Sequence, residues 1–183
     1  LLDSPLPESI RRALREWPAV TLPAVPALWR TWHDAGVISP GIQLAISAGA
    51  PLPVQLEQTI FESTGVKVHN FYGSTECGGI AYDRSAAPRT EAACIGAPME
   101  QVALSVGDAG CLEVRGASVG LGYWPDKSPA LADGCFRTSD LAEIRDGLVH
   151  LQGRAGDLIN VAGRKVAPES IEQAIRAHDE VAD

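Results

Sequence analysis

The chain has 183 residues, 45% of them apolar, and a formal net charge of −8. That suffices for one sizeable domain, or two small ones, with a buried core. The acidic balance and the lack of a basic cluster exclude nucleic acid and anionic membranes as expected partners, while leaving room for a local anion site.

In chain order, PESIRRALREW (7–17) places Ile10, Leu14 and Trp17 at helical spacing. VTLPA (20–24) reads as a short β run, and Pro26 opens a second helix, because the N–H that proline lacks has no partner at that position. Gly36 is its expected stop. IQLAISAG (42–49) is an apolar strand ending in small residues. PVQLEQTIFESTG (53–65) carries Leu56, Ile60 and Phe61 on one helical face, with Gly65 as the cap. VKVHNFYG (66–73) alternates as a strand. Strand, helix, strand at this spacing predicts a βαβ unit and a parallel sheet.

Beyond about Ala92, short apolar runs are separated by Gly, Asp and Pro, which predicts antiparallel β structure, a small barrel or sandwich. In IRDGLVHL (144–151), Asp146-Gly147 supplies the positive-φ pair of a tight hairpin turn. LINVAGRKV (158–166) predicts a strand pair, and PESIEQAIRAH (168–178) a helix with Ile171 and Ile175 inward. The last residues, HDEVAD, stop in mid-pattern, as in a chain that has been cut.

Cys77, Cys94, Cys111 and Cys135 form no Cys-x-x-Cys pair, and no histidine lies at finger-like spacing, which argues against zinc. The chain is neither very short nor cysteine-dense, so reduced thiols and a cytoplasmic location are expected. The opening LLDSPLPESIRRALREW lacks the basic leader and apolar run of a signal peptide, and no stretch approaches the ~18 apolar residues of a membrane span.

Four stretches carry chemistry. In NFYGSTECGG (70–79), the Tyr72 ring can stack on a flat base and Gly73 lets backbone approach a ligand. Ser74 and Thr75 can donate to phosphate oxygens, and Glu76 can hold a hard cation such as Mg²⁺. Taken alone, the stretch also suits a polar loop in which Tyr72 packs, Ser74 caps and Glu76 is solvated, and this is the commoner case. ISAGAPLP (46–53) leaves space for a flat ligand, or is a plain strand-to-helix turn. In FRTSDLAEI (136–144), Asp140 can bind two vicinal hydroxyls, as on a ribose, or serve as a turn aspartate. In GRAGDLINVAGRKVAPESIE (153–172), Arg154 can reach a ribose or phosphate and Lys165 a phosphate or carboxylate, or both sit in a solvated connector. No P-loop spacing occurs.

In this order, Ala48-Gly49-Ala50-Pro51, NFYGSTE, GCLEVRGASVGLGYW, FRTSDL and GRAGDLINVAGRKVAPESIE resemble the ordered core motifs of the adenylate-forming (AMP-binding) superfamily, which includes acyl-CoA synthetases, peptide-synthetase adenylation domains and beetle luciferases. The resemblance covers about residues 40–175. It implies an α/β fold. Residues 1–92 would be part of the α/β subdomain of a large domain, 93–153 its distorted β-barrel, and 154–183 the hinge and start of a small α+β C-terminal domain. It implies ATP- and Mg²⁺-dependent activation of a carboxylic acid to an acyl-adenylate, then transfer to coenzyme A. The alternatives are transfer to the phosphopantetheine of a carrier protein, or a non-catalytic nucleotide-binding module. VAPESIE (166–172) is closer to the stand-alone ligases than to peptide-synthetase domains.

Carried over, Gly49, Ala50 and Pro51 line the adenine and acyl pocket. Tyr72 stacks on adenine with Asn70, Phe71, Gly73 and Ser74 around it, and Thr75 bonds the α-phosphate. Glu76 holds Mg²⁺, Asp140 clasps the ribose with Arg154, and Lys165 is a basic residue near the phosphate. Thr75 and Glu76 are the implied catalytic residues. Ser139 replaces the commoner glycine, and Gly156 stands where the family's hinge usually has Asp or Lys. The family's phosphate loop and C-terminal lysine are not in this sequence, so the chain alone is expected to be a poor catalyst. An acyl-AMP formation assay showing robust turnover by this polypeptide would contradict that expectation.

Overall fold

In the computed structural model, which describes residues 4–17, 19–157, 159–161, 164–166, 168–176, 178 and 181, proline and glycine punctuate the first half as the sequence requires. Helix α1 (Pro7–Glu16), strand β1 (Val20–Ala24), α2 (Pro26–Asp34), β2 (Ile42–Ser47), α3 (Val54–Thr64) and β3 (Val68–Ser74) follow in order. Both α1 and α2 begin on a proline, and α3 ends at Gly65, whose φ of 72° lies in the left-handed region. The three strands pair in parallel. Ile10, Leu22, Trp29, Trp32, Ala45, Leu56, Ile60 and Val68 form a core between strands and helices. Trp29 and Trp32 meet edge to face, with centroids 5.2 Å apart. Their buried indole N–H groups donate to the carbonyls of Ile46 and Pro5.

The second half is antiparallel: β4 (Gly78–Tyr82), β5 (Cys94–Pro98), β6 (Val102–Val106), β7 (Cys111–Gly116), β8 (Leu131–Ala132), β9 (Cys135–Arg145) and β10 (Leu148–Arg154). The sheet is continuous across both halves, in the order β1-β2-β3-β4-β5-β10-β9-β7-β6, with β8 on β9. A second core of Ile80, Ile95, Leu112, Val114, Leu131, Phe136 and Val149 lies here. Asp146 and Gly147, at φ 53° and 77°, make the expected turn between β9 and β10. A separate pair, β11 (Ile159–Val161) and β12 (Arg164–Val166), precedes α4 (Pro168–Arg176). This is a mixed α/β fold with one large sheet. All four cysteines are free thiols, and no helix of the described residues is long and apolar enough to cross a membrane.

Two findings depart from the sequence reading. Antiparallel pairing starts at β4, not near Ala92, because the two glycines that open β4 hide its alternation. Ile175 does not point inward. It is 50% exposed and borders an open apolar groove of about 530 Å³ with Val166, Ile171, Ala174, His178 and Val181.

Where the halves meet, four charged side chains are buried together. Glu57 on α3 is fully buried and pairs with Lys67 and with Arg89, whose Nε lies 2.8 Å from its Oε2. Lys67 also lies 2.6 Å from the Asp83 carboxylate. Burial pushes the Asp83 carboxyl up, but the hydrogen bonds from Lys67 and Ser85 outweigh it and hold it below its ordinary value. Removing one member leaves its partners charged and dry. Glu57→Gln is therefore expected to destabilise the fold by about 3–5 kcal/mol in urea unfolding; a loss below ~1 kcal/mol, the scale of a solvated pair, would contradict this.

Candidate functional site

Strand β3 runs through both cores: Val68 lies in the first, and Tyr72 packs against the second. Its backbone comes so close to β4 that a Cβ on Gly73 would stand 2.6 Å from the Gly78 carbonyl oxygen, and one on Gly79 would stand 2.8 Å from the Phe71 ring. At Gly73 the obstacle is backbone, so only glycine fits, whereas at Gly79 it is the tip of the Phe71 ring, which lies beside Met99. Strand alternation sends Tyr72 to the opposite face from Phe71.

The Tyr72 hydroxyl donates to Oδ2 of Asp140 at 2.5 Å. Asp140 lies in β9 directly opposite Arg154 in β10, and Arg154 Nε donates to Oδ1 at 3.0 Å. One carboxylate thus joins three strands. Burial, then the hydrogen bond and charge of Asp140, push the Tyr72 phenol far above its ordinary value, so it stays a donor. The hydrogen bond and charge of Asp140 likewise raise the Arg154 guanidinium. Arg154 remains 62% exposed, whereas Asp140 is 17% exposed.

The turn after β3 holds Thr75, Glu76 and Cys77. Thr75 is exposed. Ser74 Oγ and Cys77 Sγ are 3.2 Å apart. The segment after β7 grips this turn. The Ser118 hydroxyl donates to the Cys77 carbonyl at 2.7 Å, and the Gly120 N–H donates to the Glu76 carbonyl at 2.8 Å. The Tyr123 hydroxyl donates to Oε1 of Glu76 at 2.8 Å. That hydrogen bond, with those of the turn backbone and Ser74, holds the Glu76 carboxyl below its ordinary value.

The structure therefore joins Tyr72 and Arg154 through Asp140 and sets the Thr75–Glu76 turn just past the end of the strand that carries Tyr72. Gly49, Ala50 and Pro51 are exposed at the carboxyl end of β2, where Ser47 pairs with Asn70 of β3. They follow the last paired residue of β2, so the register itself does not set them against Tyr72 or Asp140. Asn70 is buried. Lys165 lies in β12 opposite Asn160, but its side chain is outside the described residues. Tyr123, Ser118 and Gly120 escaped the sequence reading. They lie in irregular chain, and the only signal was their place in ASVGLGYW (117–124).

The model of the family described as AMP-binding enzyme matches residues 2–124, more than half of the chain. Among similar proteins, the long-chain-fatty-acid–CoA ligase FadD15 of Mycobacterium bovis is 36% identical over 140 residues, 73% of this chain and 23% of that protein. The anthranilate–CoA ligase of Pseudomonas aeruginosa is 32% identical over 195 residues, 97% of this chain and 38% of that protein. The ATP-bound MatB of Rhodopseudomonas palustris is similar in structure, with a TM-score of 0.82 at 28% identity over 96% of this chain and 38% of that one. The chain spans between 23% and 38% of the length of these proteins.

Because the Tyr123 hydroxyl is the largest cause of the lowered Glu76 carboxyl, Tyr123→Phe is expected to move the Glu76 titration midpoint upward, read from its side-chain carboxyl carbon by NMR. An unchanged midpoint would show that this contact does not form.

Proposed function

The chain belongs to the AMP-binding enzyme family, and from that premise we propose that Tyr72, Thr75, Glu76, Asp140 and Arg154 hold the nucleotide while a carboxylic acid is activated by ATP. In that reaction an acid oxygen bonds to the α-phosphorus, the bond to pyrophosphate breaks, and an acyl-adenylate results. The observation that carries the reading is the Tyr72–Asp140–Arg154 chain of hydrogen bonds. It joins a ring, a carboxylate and a cation from positions 68 and 14 residues apart in sequence.

In this reading the Tyr72 ring takes the adenine, with Asn70, Phe71, Gly73 and Ser74 shaping the strand beneath it. Asp140 accepts from the two ribose hydroxyls, and Arg154 adds a positive charge at the rim. Gly49, Ala50 and Pro51 would bound the pocket from the end of β2, and Lys165 would be the basic residue near the phosphate. The Thr75 hydroxyl donates to the α-phosphate, where negative charge builds as the bond to pyrophosphate lengthens.

Glu76 suits Mg²⁺: it is a hard oxygen donor kept ionised on an accessible turn. No cluster of three or more His, Cys, Asp or Glu occurs among the described residues. One carboxylate is what Mg²⁺ uses when substrate phosphates supply other oxygens. When bound, the ion would neutralise charge on the phosphate oxygens.

Coenzyme A is the acceptor favoured here, because two of the similar proteins are named as CoA ligases. Their names give different acids, a long-chain fatty acid and anthranilate, so the acid is left at the level of a carboxylic acid. The domain limits of the proposal are 1–92, 93–153 and 154–183.

Calorimetric titration of the chain with AMP tests the nucleotide site. Asp140→Ala is expected to weaken binding at least tenfold, the scale of lost hydrogen bonds to a charged group. AMP affinity equal to that of the unaltered chain would refute the assignment.

A further inference from the structure

Resting on the nucleotide site proposed above, we infer that the hydroxyl of Tyr72 is what makes the site select a ribose: it fixes the Asp140 carboxylate so that the two acceptor positions left on it face a vicinal diol. The ring of Tyr72 and its hydroxyl thus have separate tasks, one for the base and one for the sugar.

A carboxylate offers about four acceptor positions, two on each oxygen. Tyr72 fills one on Oδ2 and Arg154 one on Oδ1. One position remains on each oxygen, and a vicinal diol brings one donor for each. The backbone under this carboxylate is pinned as well. The Asp140 N–H donates to Thr138 Oγ1 at 3.1 Å, and the Ala155 N–H donates to the Ser139 carbonyl at 2.8 Å. What is left free is rotation about the side-chain bonds, and the two donors on opposite oxygens stop it.

The two donors are not equivalent. Arg154 is long and 62% exposed. Tyr72 is half-buried and packed against the second core, so its hydroxyl is the fixed point from which the carboxylate is aimed. Because the carboxylate is aimed before a ligand arrives, a diol gains both hydrogen bonds without first ordering it. A sugar lacking the hydroxyls leaves both acceptors unmatched, which is the strong form of discrimination open to a polar site.

Tyr72→Phe isolates the hydroxyl, since it keeps the ring for packing and for stacking. The test is calorimetric binding of AMP and of 2′,3′-dideoxy-AMP to the unaltered chain and to the variant, with circular dichroism as the check on folding. The unaltered chain is expected to prefer AMP by about 100-fold, from two hydrogen bonds to a charged group. The variant is expected to lose about tenfold of that preference, all of it on AMP. A merely structural role would weaken both ligands alike and leave their ratio unmoved, which overturns the inference while the nucleotide site stands. No preference for AMP in the unaltered chain overturns both. Should the phenylalanine variant fail to fold, 3-fluorotyrosine at position 72 keeps the ring and the hydroxyl and makes the hydroxyl a stronger donor to Asp140; its effect on stacking falls on both ligands alike and leaves their ratio unmoved. An AMP-to-dideoxy ratio that changes supports the inference, and an unchanged ratio overturns it.

Discussion

Glu57, Lys67, Asp83 and Arg89 are the constraint on which the arrangement around β3 depends. Each ion costs several kcal/mol to remove from water, and that cost is offset only where partners meet it at close range with its remaining donors or acceptors satisfied. Here they do. Glu57 accepts from Lys67, from the Arg89 Nε and from the Arg89 backbone N–H. The other Arg89 nitrogens donate to the carbonyls of Leu52 and Cys94 at 2.8 Å. An apolar cluster tolerates sliding, whereas this set does not, because any shift strands a charge. The lead-in to α3 and the first residue of β5 are therefore tied to one guanidinium.

The same ions clamp the β3–β4 hairpin at its open end. Lys67 immediately precedes β3 and Asp83 immediately follows β4, and they lie 2.6 Å apart. The Asp83 N–H adds a bond to the Asn70 carbonyl at 2.9 Å. At the closed end, Ser118 and Gly120 hold the turn. A hairpin fixed at both ends has little freedom in its middle, and Tyr72 is in the middle. The direction of its hydroxyl toward Asp140 thus follows from contacts that never touch that residue.

Much of the fold was legible because local chemistry announced it: proline at two helix starts, glycine in the left-handed region after α3, and Asp-Gly between β9 and β10. β4 was not, since glycine has no side chain with which to show alternation. The ionic quartet was not legible either. Nothing local marks Glu57, on a helix read for its apolar positions Leu56 and Ile60, as the partner of Arg89, 32 residues away. For the site, residue types pointed to Tyr72, Glu76, Asp140 and Arg154, but not to which atom meets which. The phenol of Tyr72 was read only as a ring, although its hydroxyl makes the short contact to Asp140. Tyr123 had no periodic pattern to reveal it.

The two tyrosine hydroxyls make a comparison that single contacts do not. Each donates to a carboxylate of the candidate site, yet their supports differ. Tyr72 packs against a core, so the carboxylate it meets is held stiffly. Tyr123 is 41% exposed and lies between Leu121 at 102% and Trp124 at 94%, on irregular chain. In the proposed reaction, base and ribose stay unchanged while the phosphates exchange one bond for another. Rigidity is useful where the ligand is constant, because a prearranged acceptor needs no reorganisation. Compliance is useful where the ligand changes shape, because a fixed carboxylate would fit only one stage. The division of support between a half-buried and an exposed tyrosine matches that requirement, with the stiff contact at Asp140 and the yielding one at the Glu76 side chain, whose backbone Ser118 and Gly120 still hold.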